Sequence, residues 1–220
     1  MRNILTVALA FPLLSACGDE EVGTPNAGAT TAAQVREDCA GTFDVSDVDA
    51  PATFRVDGTR LVVRGVYVDA TSAELFRLLD ANPGVRTLVL ANMGGSDVSM
   101  EGNLVGGREV RRRGLGTCVP AGGLVASGGS DFLLSGQQRA VFAGGRVGVH
   151  SWAGDDGNGM EVVATQFPRD SDQHLPFLSY YRDIGIADAF YWFTLEAAPP
   201  DGMYFMSRQE MTQFAVFTFE

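Results

Sequence analysis

A chain of 220 residues with 45% hydrophobic content is long enough to bury one sizeable core, and its formal charge of −11 leaves no broad basic face for a nucleic-acid backbone. All sixteen basic residues are arginines, so a Ser/Lys dyad, a lysine Schiff base and a P-loop lysine are excluded. His150 and His174 are the only imidazoles, and the absence of HExxH, CxxC and GxxxxGK gives zinc, nucleotides or any other cofactor no support.

In chain order, Arg2 is followed by an apolar run from Ile4 to Leu14, then Ser15, Ala16 and Cys17. At about eleven residues the run is too short to cross a bilayer. It resembles a bacterial lipoprotein signal, which implies removal of residues 1–16, palmitate on Cys17 and a place in the cell envelope on the periplasmic or outer-membrane side. The membrane would then be touched through the lipid anchor only. Residues 17–36 are rich in Gly, Ala, Thr and acids without an apolar period and read as a flexible tether, leaving 37–220 as a single domain. Within that domain Cys39 and Cys118 are the remaining cysteines, and they form either a disulfide, as an oxidising compartment would favour, or two separately buried thiols.

Thr53–Val56 and Arg60–Val68 are strand-like and meet through Asp57-Gly58, a hairpin signal. Thr71 with Glu74 predicts a capping box for a helix that Asn82-Pro83-Gly84 ends. The continuous apolar run within Arg86–Asn92 predicts a central strand covered on both faces, and it leads into Gly94-Gly95 and a helix from about Ser99 to Arg113. The basic run Arg111–Arg113 complements that helix's C-terminal dipole. Gly116–Val119, Arg139–Phe142 and Arg146–His150 read as strands, and Ser127–Ser135 as a helix closed by Gly136. Gly154–Gly159 reads as a solvated loop whose spacing fails an EF-hand. A helix follows over Ser171–Ile184 with His174 exposed near its start, then an aromatic segment around Phe190–Phe193. Met203–Met206 is a short strand, Ser207 with Glu210 caps a last helix, and Ala215–Phe219 closes as a strand. The alternation of strands and helices predicts an α/β fold with a mostly parallel sheet flanked by helices.

Three stretches make the order recognisable: LVLANMGGS at Leu88–Ser96, ASGGSDFLLSG at Ala126–Gly136 and RVGVHSW at Arg146–Trp152. From about Arg60 onward the chain resembles the Clp protease and crotonase superfold of repeated ββα units, and most closely its exported Clp-like peptidases. The resemblance implies Ser127 as nucleophile, His150 as general base, and N–H groups of Gly94 or Gly95 and of Gly128 as an oxyanion hole. Val125 stands where a GxSxG elbow has glycine, which separates the chain from α/β-hydrolases. The Clp-like acid aligns near Met203, which cannot orient an imidazole, so Asp201 is carried as the nearest carboxylate. Ser127 as a plain helix cap and Ser130 as a competing hydroxyl stay in view. The implied function is a tethered serine hydrolase acting on a peptide or acyl substrate. The alternative is a non-catalytic lipoprotein that binds a peptide or an envelope protein in the same groove. Acyl-CoA chemistry fits poorly with export and with so few basic residues. Oligomeric state is left open.

Overall fold

The structure, a computed structural model, describes residues 28–97, 102–155 and 158–219. The signal-like segment and Cys17 lie outside the described residues. Helix α1 (Ala32–Asp38) begins inside the stretch that composition assigns to the tether. It can do so because Thr31 and Gln34 form a capping box and Val35 is fully buried against the sheet. Cys39, at its end, is disulfide-bonded to Cys118 with Cα atoms 6.5 Å apart.

Strands β1 (Thr53–Asp57) and β2 (Arg60–Arg64) form the expected antiparallel hairpin, with Gly58 at φ 61° in its turn. The extended stretch then breaks at Gly65, and β3 (Tyr67–Val68) pairs elsewhere. Helix α2 (Thr71–Ala81) lacks the predicted capping box. Its cap position is Ala70, and the Thr71 hydroxyl instead accepts from the Val68 N–H at 2.9 Å, tying the helix to β3. Strand β4 (Thr87–Met93) is buried at every residue and is followed by β5 (Ser96–Asp97). Helix α3 (Gly102–Arg112) fills most of the predicted span, and residues 98–101 lie outside the described ones.

Then come β6 (Gly116–Val119), β7 (Leu124–Ala126), α4 (Gly128–Leu134), β8 (Arg139–Val141) and β9 (Arg146–Val149). Within the predicted loop at 154–159, Gly154 and Asp155 belong to a strand, β10 (Ala153–Asp155), which pairs with β11 (Glu161–Val163). Helices α5 (Leu175–Asp183) and α6 (Asp188–Ala197), strand β12 (Tyr204–Phe205) and helix α7 (Arg208–Gln213) complete the chain. The Ser207/Glu210 capping box of α7 is present.

The main sheet divides at β4. Its first half pairs with β6, which carries β8, while its last residues pair with β7, which leads to β9 and β12. All of these pairs are parallel except the edge strand β12. Alternation along β2 and β4 supplies both faces: Leu61, Val63, Leu88 and Leu90 join the larger core, whereas Val62, Val89 and Ala91 pack with Val35, Cys118 and Ala140 under α1.

Two expectations fail in the last third. Ala215–Phe219 forms no strand; it wraps around Arg139, whose guanidinium donates to the carbonyls of Ala215 at 2.9 Å, Val216 at 3.2 Å and Gly136 at 2.9 Å. Burial, with Arg111 nearby, pushes the Arg139 pKa down to about 10, and those carbonyls are what it finds in place of water. His174, expected at the surface beside Asp172, is 1% exposed. It bonds the Tyr191 hydroxyl through Nδ1 at 2.7 Å and lies among the rings of Trp152, Phe167, Tyr191 and Trp192.

Candidate active site

The carboxyl ends of β4, β7 and β9 converge on one cavity of about 550 Å³, lined among others by Ser96, Asn103, Ser127, Gly128, Asp131 and His150. Open parallel sheets place ligands outside the carboxyl ends of their strands, because loops and helix N-termini gather there. The division of the sheet at β4 brings the β4–β5 turn beside the start of α4.

Ser127 occupies the sharp turn from β7 into α4 with φ 52° and ψ −127°, a conformation that a residue with a Cβ adopts only at a cost. Its backbone is held at both ends: the N–H donates to Gly148 O at 3.0 Å, and the carbonyl accepts from Ser130 N at 2.8 Å. The hydroxyl makes no capping hydrogen bond, so the plain helix-cap role is not realised. Ser130 is differently employed. It is buried, and its hydroxyl donates to Gly148 O at 2.7 Å.

The glycines following Ser127 are required by packing. A Cβ on Gly128 would come within 2.9 Å of Asn103 Nδ2, and one on Gly129 within 3.1 Å of the Met93 carbonyl carbon. Gly128 opens α4, so its N–H has no partner within the helix. Gly95 is buried beside the serine, its Cβ position 3.7 Å from Ser127 Cβ, whereas Gly94 is exposed.

His150 follows β9 and is half-buried on the same cavity wall. Its Nδ1 lies 2.9 Å from the carbonyl oxygen of Pro200. A carbonyl can only accept, so Nδ1 carries the proton and Nε2 presents a lone pair. The partner is therefore main chain: Asp201, the candidate acid, is exposed one residue beyond the carbonyl that holds the ring.

Sequence reasoning missed Asp131. It lies one turn after Ser127, and its carboxylate accepts from Tyr181 Oη at 2.5 Å and from the Asn103 amide. Desolvation outweighs those two hydrogen bonds and raises its pKa to about 6. The signal was present, since Asp131 is the one charged residue between Ser127 and Gly136. An acid in the first turn of a helix reads more simply as a dipole partner. Burial raises the Tyr181 phenol above its ordinary range and Tyr191 to about 12, so both stay protonated beside it. Among the described residues no group of three or more His, Cys, Asp or Glu could hold a metal, and no helix is long and apolar enough to cross a membrane.

No protein-family model and no curated protein matches the chain. Among solved structures it is similar to the 1510-N membrane-bound stomatin-specific protease, in a lysine-to-alanine variant bound to a substrate peptide. The identity is 14%, the alignment covers 71% of each chain and the TM-score is 0.50. A serine-to-alanine variant of the same protease matches at 14% identity, 71% of this chain and 75% of that one, with a TM-score of 0.48. The fold is thus an α/β one of the Clp/crotonase type, with a mostly parallel sheet flanked by helices, as expected from the order of the elements.

Proposed function

We propose that the chain is a serine hydrolase, a Clp-like peptidase held in the bacterial envelope by lipid on Cys17, with Ser127 as nucleophile and His150 as general base. The observation that carries this reading is the backbone of Ser127. A serine forced to φ 52° at the mouth of a cavity, with its hydroxyl unused as a cap, has the geometry of an exposed nucleophile rather than of a structural residue.

In the reaction, Ser127 Oγ attacks the acyl carbon while its proton passes to His150 Nε2. The new oxyanion is met by the N–H of Gly128 and by that of Gly95 or Gly94. His150 then returns the proton to the departing amine, and water, deprotonated by the same nitrogen, releases the acyl group. The Pro200 carbonyl fixes the ring tautomer as an aspartate would, but it brings no full negative charge to the imidazolium. The chain has no lysine, so a lysine base is not available to it.

A fluorophosphonate probe should label the wild-type chain and fail to label Ser127→Ala; label retained after that substitution means the nucleophile is elsewhere. The main-chain oxygen at His150 Nδ1, where a triad has a carboxylate, favours a second reading, a peptide-binding descendant without turnover, and absence of labelling in wild type would select it.

A further inference from the structure

The cavity beside Ser127 holds a charge that the reaction does not use. Asp131 has two neutral hydrogen-bond donors, Tyr181 and Asn103, and no arginine among the groups that shift its titration. An ionised carboxylate offers about four lone-pair positions, so its need is only partly met. Protein surrounds it, yet it remains partly accessible from the cavity it lines. The walls around it are flat and apolar: Trp152 stacks on Phe177 with ring centroids 5.9 Å apart, Phe177 stacks on Tyr191 at 5.5 Å, and Tyr181 lies 6.0 Å from Tyr191. All four rings line the cavity.

A carboxylate behind aromatic walls matches a long apolar stem with a cationic tip, since the rings cover the methylenes and favour the cation while the carboxylate pairs with it. Resting on the hydrolase reading, we propose that Asp131 is a specificity residue that seats an arginine or lysine side chain of a peptide substrate next to the scissile bond. Burial opposes ionisation of the carboxylate, and a cationic side chain brought beside it would favour the charged form.

Two measurements on the full chain test this. In the first, kcat/KM is compared for matched peptide amides carrying arginine or norleucine on the acyl side of the scissile bond. Wild type should prefer arginine, and Asp131→Asn should lower the arginine-to-norleucine ratio at least about tenfold, while Asp131→Glu, which keeps the charge, retains the preference. In the second, Nα-acetyl-arginine amide and Nα-acetyl-norleucine amide are titrated into Ser127→Ala by calorimetry, with and without Asp131→Asn. Tighter binding of the arginine compound that disappears with Asp131→Asn supports the subsite even if wild type hydrolyses nothing, in which case only the hydrolase reading falls. Ser127-dependent hydrolysis with no arginine preference, or an equal loss for both peptides in Asp131→Asn, overturns the subsite and leaves the hydrolase reading standing.

Discussion

The two ends of β4 are built on opposite terms. At its start, Asp38 is 4% exposed and fully engaged: it accepts from Arg86 Nε at 2.8 Å, Thr87 Oγ1 at 2.7 Å and Thr59 Oγ1 at 2.6 Å, next to the Cys39–Cys118 disulfide. Burial would raise its pKa, but those partners outweigh it and hold the carboxyl below its ordinary range. Past the other end, Ser127 is strained, Asp131 is short of partners, and the Gly128 N–H points at no helical acceptor. One strand thus joins a region whose polar groups satisfy each other to a region whose polar groups are only partly paired. Local strain and unmet charge concentrate where a ligand is expected to supply the missing contacts.

The largest test of this contrast is removal of Asp38. Asp38→Ala leaves the Arg86 guanidinium without its buried partner and should cost about 3–5 kcal/mol in urea unfolding. The wild-type contribution should itself fade on acidification. With a folded pKa below the unfolded one, the stabilisation is present above the ordinary carboxylate range and is lost as pH falls through the folded value.

Asp131→Asn should do the reverse and stabilise. The folded pKa of about 6 exceeds the unfolded 3.8, so the protonated form is the one the fold prefers, and stability is lost as pH rises through that interval. The substitution should gain up to about 3 kcal/mol near pH 8 and nothing near pH 3.5, read from unfolding curves at the two pH values. A gain that does not vary with pH would mean the charge is not its source.

A smaller effect separates the strain at Ser127 from its chemistry. Ser127→Ala and Ser127→Gly both remove the hydroxyl, but only glycine adopts φ 52° freely, so Ser127→Gly should be the more stable by about 1 kcal/mol in thermal or urea unfolding. The smallest expected effect is at Asp201. Its carboxylate does not hold His150, and Asp201→Asn should leave hydrolysis of a given peptide within about twofold, whereas loss of a true triad acid costs orders of magnitude.

Much of the frame is legible in the sequence. The apolar run of β4, the glycine turns after β4 and β7, and the position of His150 after β9 each carry a local signature, either a period or a residue that only a special backbone conformation requires. What could not be read depends on partners distant in the chain. His174 looks polar and exposed among Ser171, Asp172 and Gln173, and it is buried because Trp152 and Tyr191 close over it. The 215–219 segment has the composition of a strand, yet Arg139, 77 residues before Val216, takes its carbonyls and bends it. The division of the sheet at β4 leaves no trace in periodicity, because a strand buried on both faces looks the same whether it has one neighbour or two on the same side.

The grip on His150 comes from the peptide bond after Pro200, and every amino acid brings that same oxygen. Exchanging side chains along the Pro199–Gly202 turn therefore leaves the ring's anchor chemically intact so long as the turn keeps its path. What the imidazole depends on there is the length and curvature of a short piece of chain, so an insertion or deletion between residues 199 and 202 is the lesion that would set it loose.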